Sequence, residues 1–334
     1  MDEQPDYRAR AAAGIAALQR WYHPGTGLWE STGWWNAANA LTAVIRYTRV
    51  TGDHSYREVL PVTFTAARLR HPDFINTYFD DNQWWALAWV AAYDLTADER
   101  YLTAARTIFA AALGGWDATC GGGLWWNQDR RYKNAITNEL FLTLAALLHQ
   151  RTPGDRLYLD WALREWEWLH GSGMIAPGGL VNDGLTAECA NNQGTTWTYN
   201  QGVILGGLTA LHQITGDQGY LRQAEVIADA ALRALTDARG ILAEPSEPAG
   251  SVGDHPQFKG IFVRNLHELH GAADHPAYRA FLLANADSVW DNARNPADEF
   301  GLRWAGPFDA ADASRQSSAA EALIAAAALT APGH

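Results

Sequence analysis

Cysteine and methionine are scarce in this chain of 334 residues, at two each. Cys120 and Cys189 cannot form a disulfide framework, and neither sits in a CxxC spacing, so a cysteine-based zinc site has no support in the pattern. Basic residues are also few. With 25 Lys plus Arg against 37 Asp plus Glu, the formal charge is −12. That balance repels phosphate backbones and anionic lipid surfaces, which argues against nucleic acid and membrane surfaces as partners. No stretch approaches the ~18 consecutive apolar residues of a spanning helix, so membrane insertion is not expected. The opening MDEQPDYRARAAAGI lacks a basic region followed by an apolar core, so it does not read as a signal peptide. As written, the sequence reads as cytoplasmic; a chain already relieved of an export leader would be extracellular and look the same. The glycines at 121–123 are followed by no GK[ST], and no dinucleotide fingerprint or metal-ligand motif occurs. Neither a metal nor a cofactor is expected.

Tryptophan, in contrast, is abundant, with 16 residues, and 48% of the chain is hydrophobic. Trp161, Trp166 and Trp168 fall within an amphipathic stretch and read as core packing. Trp34–Trp35, Trp84–Trp85 and Trp125–Trp126 lie beside Gly and Asn at segment junctions. A flat ring there can face the C–H surface of a sugar or wall a pocket.

The chain also repeats itself. A Gly–apolar landmark recurs as TGLWE, GGLWW, GGLVND, RGILAE and FGLRW, with Leu28, Leu124, Leu180, Ile241 and Leu302 spaced 96, 56, 61 and 61 apart. The first gap is double, and HPDFINTYFDD at 71–81 fills the missing place. Each landmark precedes an apolar helical segment, expected near 34–50, 81–95, 134–151, 198–215, 258–271 and 315–330. Most of these end in a breaker such as TGD or TPGD, after which a second, amphipathic helix begins. In the fourth unit Tyr220, Ala224, Ile227 and Ala231 form one stripe opposite Arg222, Glu225, Asp229 and Arg233. With an N-terminal helix near 6–21, twelve helices alternate between outer and inner positions. The last is as apolar as the internal ones, which favours ring closure over an open solenoid. The expected fold is all-α, an (α/α)6 barrel formed by residues 1–334 as a single domain.

In such a toroid the loops entering the inner helices share one mouth. They carry Trp34, Trp35 and Asn36; Asp80, Asp81 and Asn82; Lys133 and Asn134; Tyr199, Asn200 and Gln201; and Phe258 and Lys259. One Asp or Asn per helix is an ordinary N-cap. Asp–Asp–Asn in YFDDNQWW exceeds what capping requires. Two neighbouring carboxylates suit glycosidic cleavage, and their mutual repulsion raises at least one pKa. Adjacency leans toward the ~5–5.5 Å separation of retaining enzymes rather than the wider spacing of inverting ones.

Together FDDNQWW at 79–85, CGGGLWW at 120–126, YKNAITNELF at 132–141, WTYNQG at 197–202 and FKGIF at 258–262 resemble glycoside hydrolase family 76, the α-1,6-mannanases. The resemblance implies the (α/α)6 barrel, retention of configuration, and α-mannan or a mannooligosaccharide as the carbohydrate partner. It implies Asp80 as nucleophile and Asp81 as general acid/base. Trp125, Trp126, Asn138, Tyr199 and Gln201 are implied to border the groove, joining Trp35, Asn36, Asn82, Asn134, Asn200 and Lys259 as substrate-binding candidates.

Other features carry competing readings. His267 and His270 resemble a metal or acid/base pair, but their place near a helix C-terminus makes them structural. The GGG turn reads as bringing backbone close to substrate. Asp117 and Asp183 either bind a sugar hydroxyl or stabilise a turn. A sugar epimerase or isomerase on the same barrel would use cavity histidines, whereas most of the 11 histidines fall in turns or outer segments. A noncatalytic glycan-binding protein would be natural had either aspartate been lost.

Overall fold

A computed structural model describes residues 5–250 and 253–331. Among these, twelve α-helices alternate between two layers. The outer layer holds α1 (Tyr7–Leu18), α3 (Val59–Ala66), α5 (Glu99–Ala112), α7 (Leu157–Gly171), α9 (Gln218–Ala234) and α11 (Pro276–Asn292). The inner layer holds α2 (Trp34–Thr51), α4 (Phe79–Thr96), α6 (Ala135–Gln150), α8 (Thr198–Thr215), α10 (Phe258–Ala273) and α12 (Ala313–Leu329). Each inner helix packs on the next, and α12 packs on both α10 and α2 while α1 packs on α12. The ring therefore closes as an (α/α)6 barrel.

Local chemistry explains the alternation. The inner helices are buried nearly all round, α6 from Ala135 without interruption to Ala146, so their burial comes from neighbours on every face. The alanine-rich α12 offers small side chains that let α2 and α10 approach closely. Gly52 and Gly216 end α2 and α8 in the left-handed conformation, at φ 71° and 74°, where a Cβ would be strained. Asp98 and Asp217 then cap α5 and α9 by accepting from the amides of Arg100 and Gly219. In α9, Ala224, Ile227 and Ala231 of the expected stripe are buried, Tyr220 is only partly buried against the core, and Leu221 is buried beside it.

The landmark loops fold back as short antiparallel bridges, including Trp116 with Leu124, Ile175 with Val181, Thr236 with Leu242 and Arg294 with Phe300. An amide side chain from a neighbouring helix clamps each of them. Asn138 accepts from the Leu124 amide at 2.6 Å and donates to its carbonyl at 3.1 Å. Gln201 does the same to Val181 at 2.8 Å in both directions. Asn285 and Gln316 accept from Leu242 and Phe300. Lysines do related work. Lys133, 2% exposed, donates to the carbonyls of Thr119, Gly122 and Gly123 at 2.7–2.9 Å and to the Asp117 carboxylate at 3.0 Å. Lys259, 1% exposed, donates to the Leu302 carbonyl at 2.6 Å and pairs with Glu247.

Two expectations from the sequence are corrected here. The GGG turn does not present backbone to a ligand. It wraps Trp168 of α7, where a Cβ on Gly123 would stand 2.3 Å from the ring. Cys120 and Cys189 are joined in a disulfide across 69 residues, with Cα atoms 5.1 Å apart. A pairing so distant in sequence leaves no local signature. The bridge ties the loop after α5 to the loop before α8. Loop-closure entropy over such a span contributes about 2–4 kcal/mol, so Cys120→Ser is expected to lower the melting temperature by roughly 4 °C for a chain of this size. Calorimetry with and without reductant checks this, since reductant should change the wild type and leave the variant unmoved.

Candidate active site

At one end of the ring, where the inner helices begin, a cavity of about 190 Å³ is lined by Trp35, Asp80, Trp84, Trp126, Tyr132, Asn134, Asp183, Tyr199, Asp254 and Phe258. The carboxylates come from three directions. Asp80 projects from the first turn of α4, Asp183 from the loop before α8, and Asp254 from the turn before α10. Aromatic rings wall the space. Trp35 stacks on Trp84 with centroids 5.4 Å apart, and Tyr199 stacks on Phe258 at 3.8 Å.

Asp80 and Asp81 are not caps. Tyr78 occupies the N-cap of α4, and no side chain caps that helix. The Trp126 indole N–H donates to one Asp80 oxygen at 2.9 Å, and the Asp81 amide donates to the other at 3.0 Å. Asn76 donates to Asp81 at 2.7 Å. Burial pushes the Asp80 carboxyl well above the ordinary carboxylate range, and the charge of Asp81 pushes it further. Burial raises Asp81 to about 6, with Asp254 adding to the rise and Asn76 opposing it. Like charges this close ionise in sequence, so the pair passes through a state that holds one shared proton. The two donors on Asp80, against one on Asp81, offset part of that rise and stabilise its carboxylate form.

The flanking groups are held in turn. The Trp35 indole donates to Asp254 at 2.9 Å. The Tyr132 hydroxyl donates to Asp183 and accepts from Asn192 at 2.9 Å. Burial lifts Tyr199 well above its ordinary range, and the surrounding Asp183, Asp80, Glu139 and Asp254 lift it further. It stays a neutral phenol, available as donor and acceptor.

Of the candidates read from the sequence, the structure brings Trp35, Asp80, Trp126, Asn134 and Tyr199 to the cavity. Asn134 also caps α6 by accepting from the Thr137 amide. Asp81 stands beside Asp80, held by Asn76. The others take different roles. Asn82 grips the backbone of Asn76, accepting at 2.8 Å and donating at 3.2 Å, and so fixes the segment that holds Asp81. Trp125 turns away to donate to Asp117 at 2.7 Å. Asn138 and Gln201 clamp landmark backbones, and Lys259 organises the loop of Leu302. Asn36 and Asn200, 1% and 0% exposed, are buried between helices outside the cavity lining. His270 lies in the last turn of α10 and His267 beside Arg46 and Glu268, both at the far end of the helix.

Sequence reasoning missed Tyr132 and Asp254 as wall residues, had Phe258 at the mouth and Trp84 as a possible wall without naming either as substrate-binding, and left Asp183 undecided. Phe258 opens α10 as Phe79 opens α4, which is where the repeat register had put it. Asp254 lies in irregular chain before α10 and carries no periodic signal.

An α-toroid with an aspartate pair and aromatic walls at one mouth is a carbohydrate-processing architecture. Glycosyl hydrolase family 76 matches residues 8–333, and the chain belongs to that family. It is similar to the GH76A α-1,6-mannanase of Salegentibacter sp. HEL1_6, at 28% identity and TM-score 0.89, covering 97% of this chain and 100% of that one. An inactive variant of that mannanase, with two aspartates replaced by alanine, is known in complex with α-1,6-mannotetrose and matches at 27% identity with the same coverage and TM-score. Mannan endo-1,6-alpha-mannosidase DCW1 of Saccharomyces cerevisiae is 28% identical over 259 residues, 70% of this chain. The chain spans 57% of the length of that yeast relative.

Proposed function

We propose that this protein hydrolyses α-1,6-mannosidic linkages in mannan or mannooligosaccharides by a double displacement that retains configuration. The observation that carries the reading is Asp80 in a cavity walled by Trp35, Trp84, Trp126 and Tyr199, with Asp81 next to it on the first turn of α4. The activities named for the bacterial and fungal relatives support the substrate class. Asp80, its charge favoured by Trp126 and a backbone amide, attacks the anomeric carbon. Asp81 protonates the departing oxygen and then deprotonates the water that releases the glycosyl group. Asp183, Asp254 and Tyr199 supply directed hydrogen bonds to sugar hydroxyls, and the rings exclude water. The lining includes no histidine among the described residues, which weighs against a proton-shuttling epimerase.

Incubation with unbranched α-1,6-mannotetraose tests the reading. Smaller mannooligosaccharides should appear, and proton NMR should find the first product as the α anomer before mutarotation. An early β anomer would remove Asp80 from the nucleophile role.

The shared proton also sets a pH profile. As pH rises, loss of the first proton frees the nucleophile and kcat/KM increases. Loss of the second removes the acid and kcat/KM declines, so the profile is a bell whose two limbs belong to the coupled pair. A profile that lacks either limb would contradict this assignment.

For location, we place the working protein in an oxidising compartment outside the cytoplasm. The Cys120–Cys189 bridge supports that reading, because glutathione and thioredoxin keep cytosolic thiols reduced.

A further inference from the structure

The toroid has a second cavity, of about 240 Å³, at the end opposite the paired aspartates, between the later turns of α2, α4, α6, α8 and α10. Trp84 is the residue common to both cavities and partitions them. The walls are largely aliphatic, with Leu87, Val90, Leu147 and Val203.

The charges in this cavity do not balance. Arg46 and Arg264 share Glu321, the latter at 3.4 Å. Arg46 and Arg49 share Glu268, at 3.7 and 3.4 Å. Three guanidinium groups thus face two carboxylates, while Arg151 and Asp94 form a separate pair at the rim. Arginines in a last turn complement the negative end of a helix, which accounts for Arg49. Arg264 lies in the middle of α10, beyond that influence. It is 9% exposed, and among the described residues it has one hydrogen bond, the long one to Glu321. Its guanidinium stands 5.6 Å from the Trp84 centroid. The nearby Thr209 hydroxyl is buried without a hydrogen-bond partner. A desolvated guanidinium with so few acceptors is costly unless a further anion completes it.

We propose that this cavity is a binding site for a small organic monoanion, a carboxylate on an apolar body. The carboxylate takes paired N–H donors from Arg264 in the two-pronged geometry that guanidinium favours. Its charge brings the cluster to three against three, and the apolar body lies against Leu87, Val90 and Leu147. A neutral sugar would leave the third guanidinium uncompensated, and an inorganic anion would leave the aliphatic walls unfilled. Size fits as well, because a dry cavity of roughly 150 Å³ accepts benzene, and the larger volume here has room for a ring with a carboxylate.

Benzoate titrated into the purified protein by calorimetry, with benzyl alcohol as the uncharged counterpart, tests the site without reference to hydrolysis. One benzoate per chain should bind saturably, at least tenfold more tightly than benzyl alcohol. Arg264→Gln should weaken benzoate at least tenfold. Leu147→Trp, which fills the cavity and keeps all three arginines, should abolish binding while leaving mannan hydrolysis intact. Asp80→Asn should bind benzoate as the wild type does. Absence of saturation in the millimolar range, equal affinity for the alcohol, or binding that survives Leu147→Trp would overturn the proposal.

Discussion

Asp80→Asn is expected to lower kcat on α-1,6-mannooligosaccharides by at least roughly 10⁴-fold, the scale of removing a covalent nucleophile. Asp81→Asn should cost about 10²–10⁴-fold, the range of a general acid/base. The double variant should be little worse than Asp80→Asn, because in the proposed mechanism both groups serve one displacement. An activated mannoside whose leaving group needs no protonation should partly rescue Asp81→Asn and leave Asp80→Asn inactive. Each substitution keeps side-chain volume, so folding is preserved. Stability should even rise, since either amide removes a buried carboxyl that repels its neighbour. Turnover and melting temperature measured on the same preparations therefore separate catalysis from folding. Near-normal turnover in either single variant would defeat the assignment.

Much of the scaffold could be read from residue order because its two layers bury different amounts of surface. An inner helix packed on every face needs an unbroken apolar run, and a tight hairpin needs a breaker. Both are visible in YKNAITNELFLTLAALLHQ followed by TPGD. The expected inner helix at 198–215 coincides with α8. The expected start at 81 fell two residues inside α4, which begins at Phe79. Asp80 and Asp81 look like capping residues in sequence, yet they occupy the first turn and leave the N-cap to Tyr78.

The site was only half legible, for a geometric reason. Each entry segment carries several polar or aromatic residues, and neighbours in sequence point to different sides. In the extended chain before α6, Trp126 faces the cavity and Trp125 the opposite side, the alternation of a strand. On α8, Tyr199 lines the cavity, and Gln201, two residues later and thus on the other side of the helix, meets Val181. One turn below Asn134, Asn138 meets the landmark loop instead of the cavity. Sequence locates such segments but does not fix their rotation. The family resemblance pointed to the segments, and the structure separates side chains that line the cavity from those that hold the loops.

That division yields the largest expected effect away from the aspartates. Lys133→Met should destabilise the protein by about 3–5 kcal/mol in urea unfolding, with activity falling further than the folded fraction explains. The Lys133 ammonium is buried with the carbonyls of Thr119, Gly122 and Gly123 and one oxygen of Asp117 around it. Methionine keeps the stem length and apolar volume but donates nothing. The carbonyls of Thr119 and Gly123 keep the amides of Gly122 and Asp117 as donors, so the main losses are the buried Gly122 acceptor, at about 1–3 kcal/mol, and the ion-pair partner of Asp117. Asp117 is partly exposed and retains Trp125 and Arg130, which keeps the total toward the middle of the range. The same loop carries Trp126, whose amide is held by the Tyr132 carbonyl at 2.8 Å and whose indole donates to Asp80. Releasing the loop should misplace that donor, and a displacement near 1 Å can cost on the order of 10²-fold in rate. Lys259→Met offers the comparison. It removes an equally buried lysine from the loop of Leu302 on another side of the ring, so it should destabilise similarly while changing kcat far less per folded molecule. Equal loss of kcat in both variants would mean that the lysines act through global stability alone and that the Trp126 loop has no separate part in orienting Asp80.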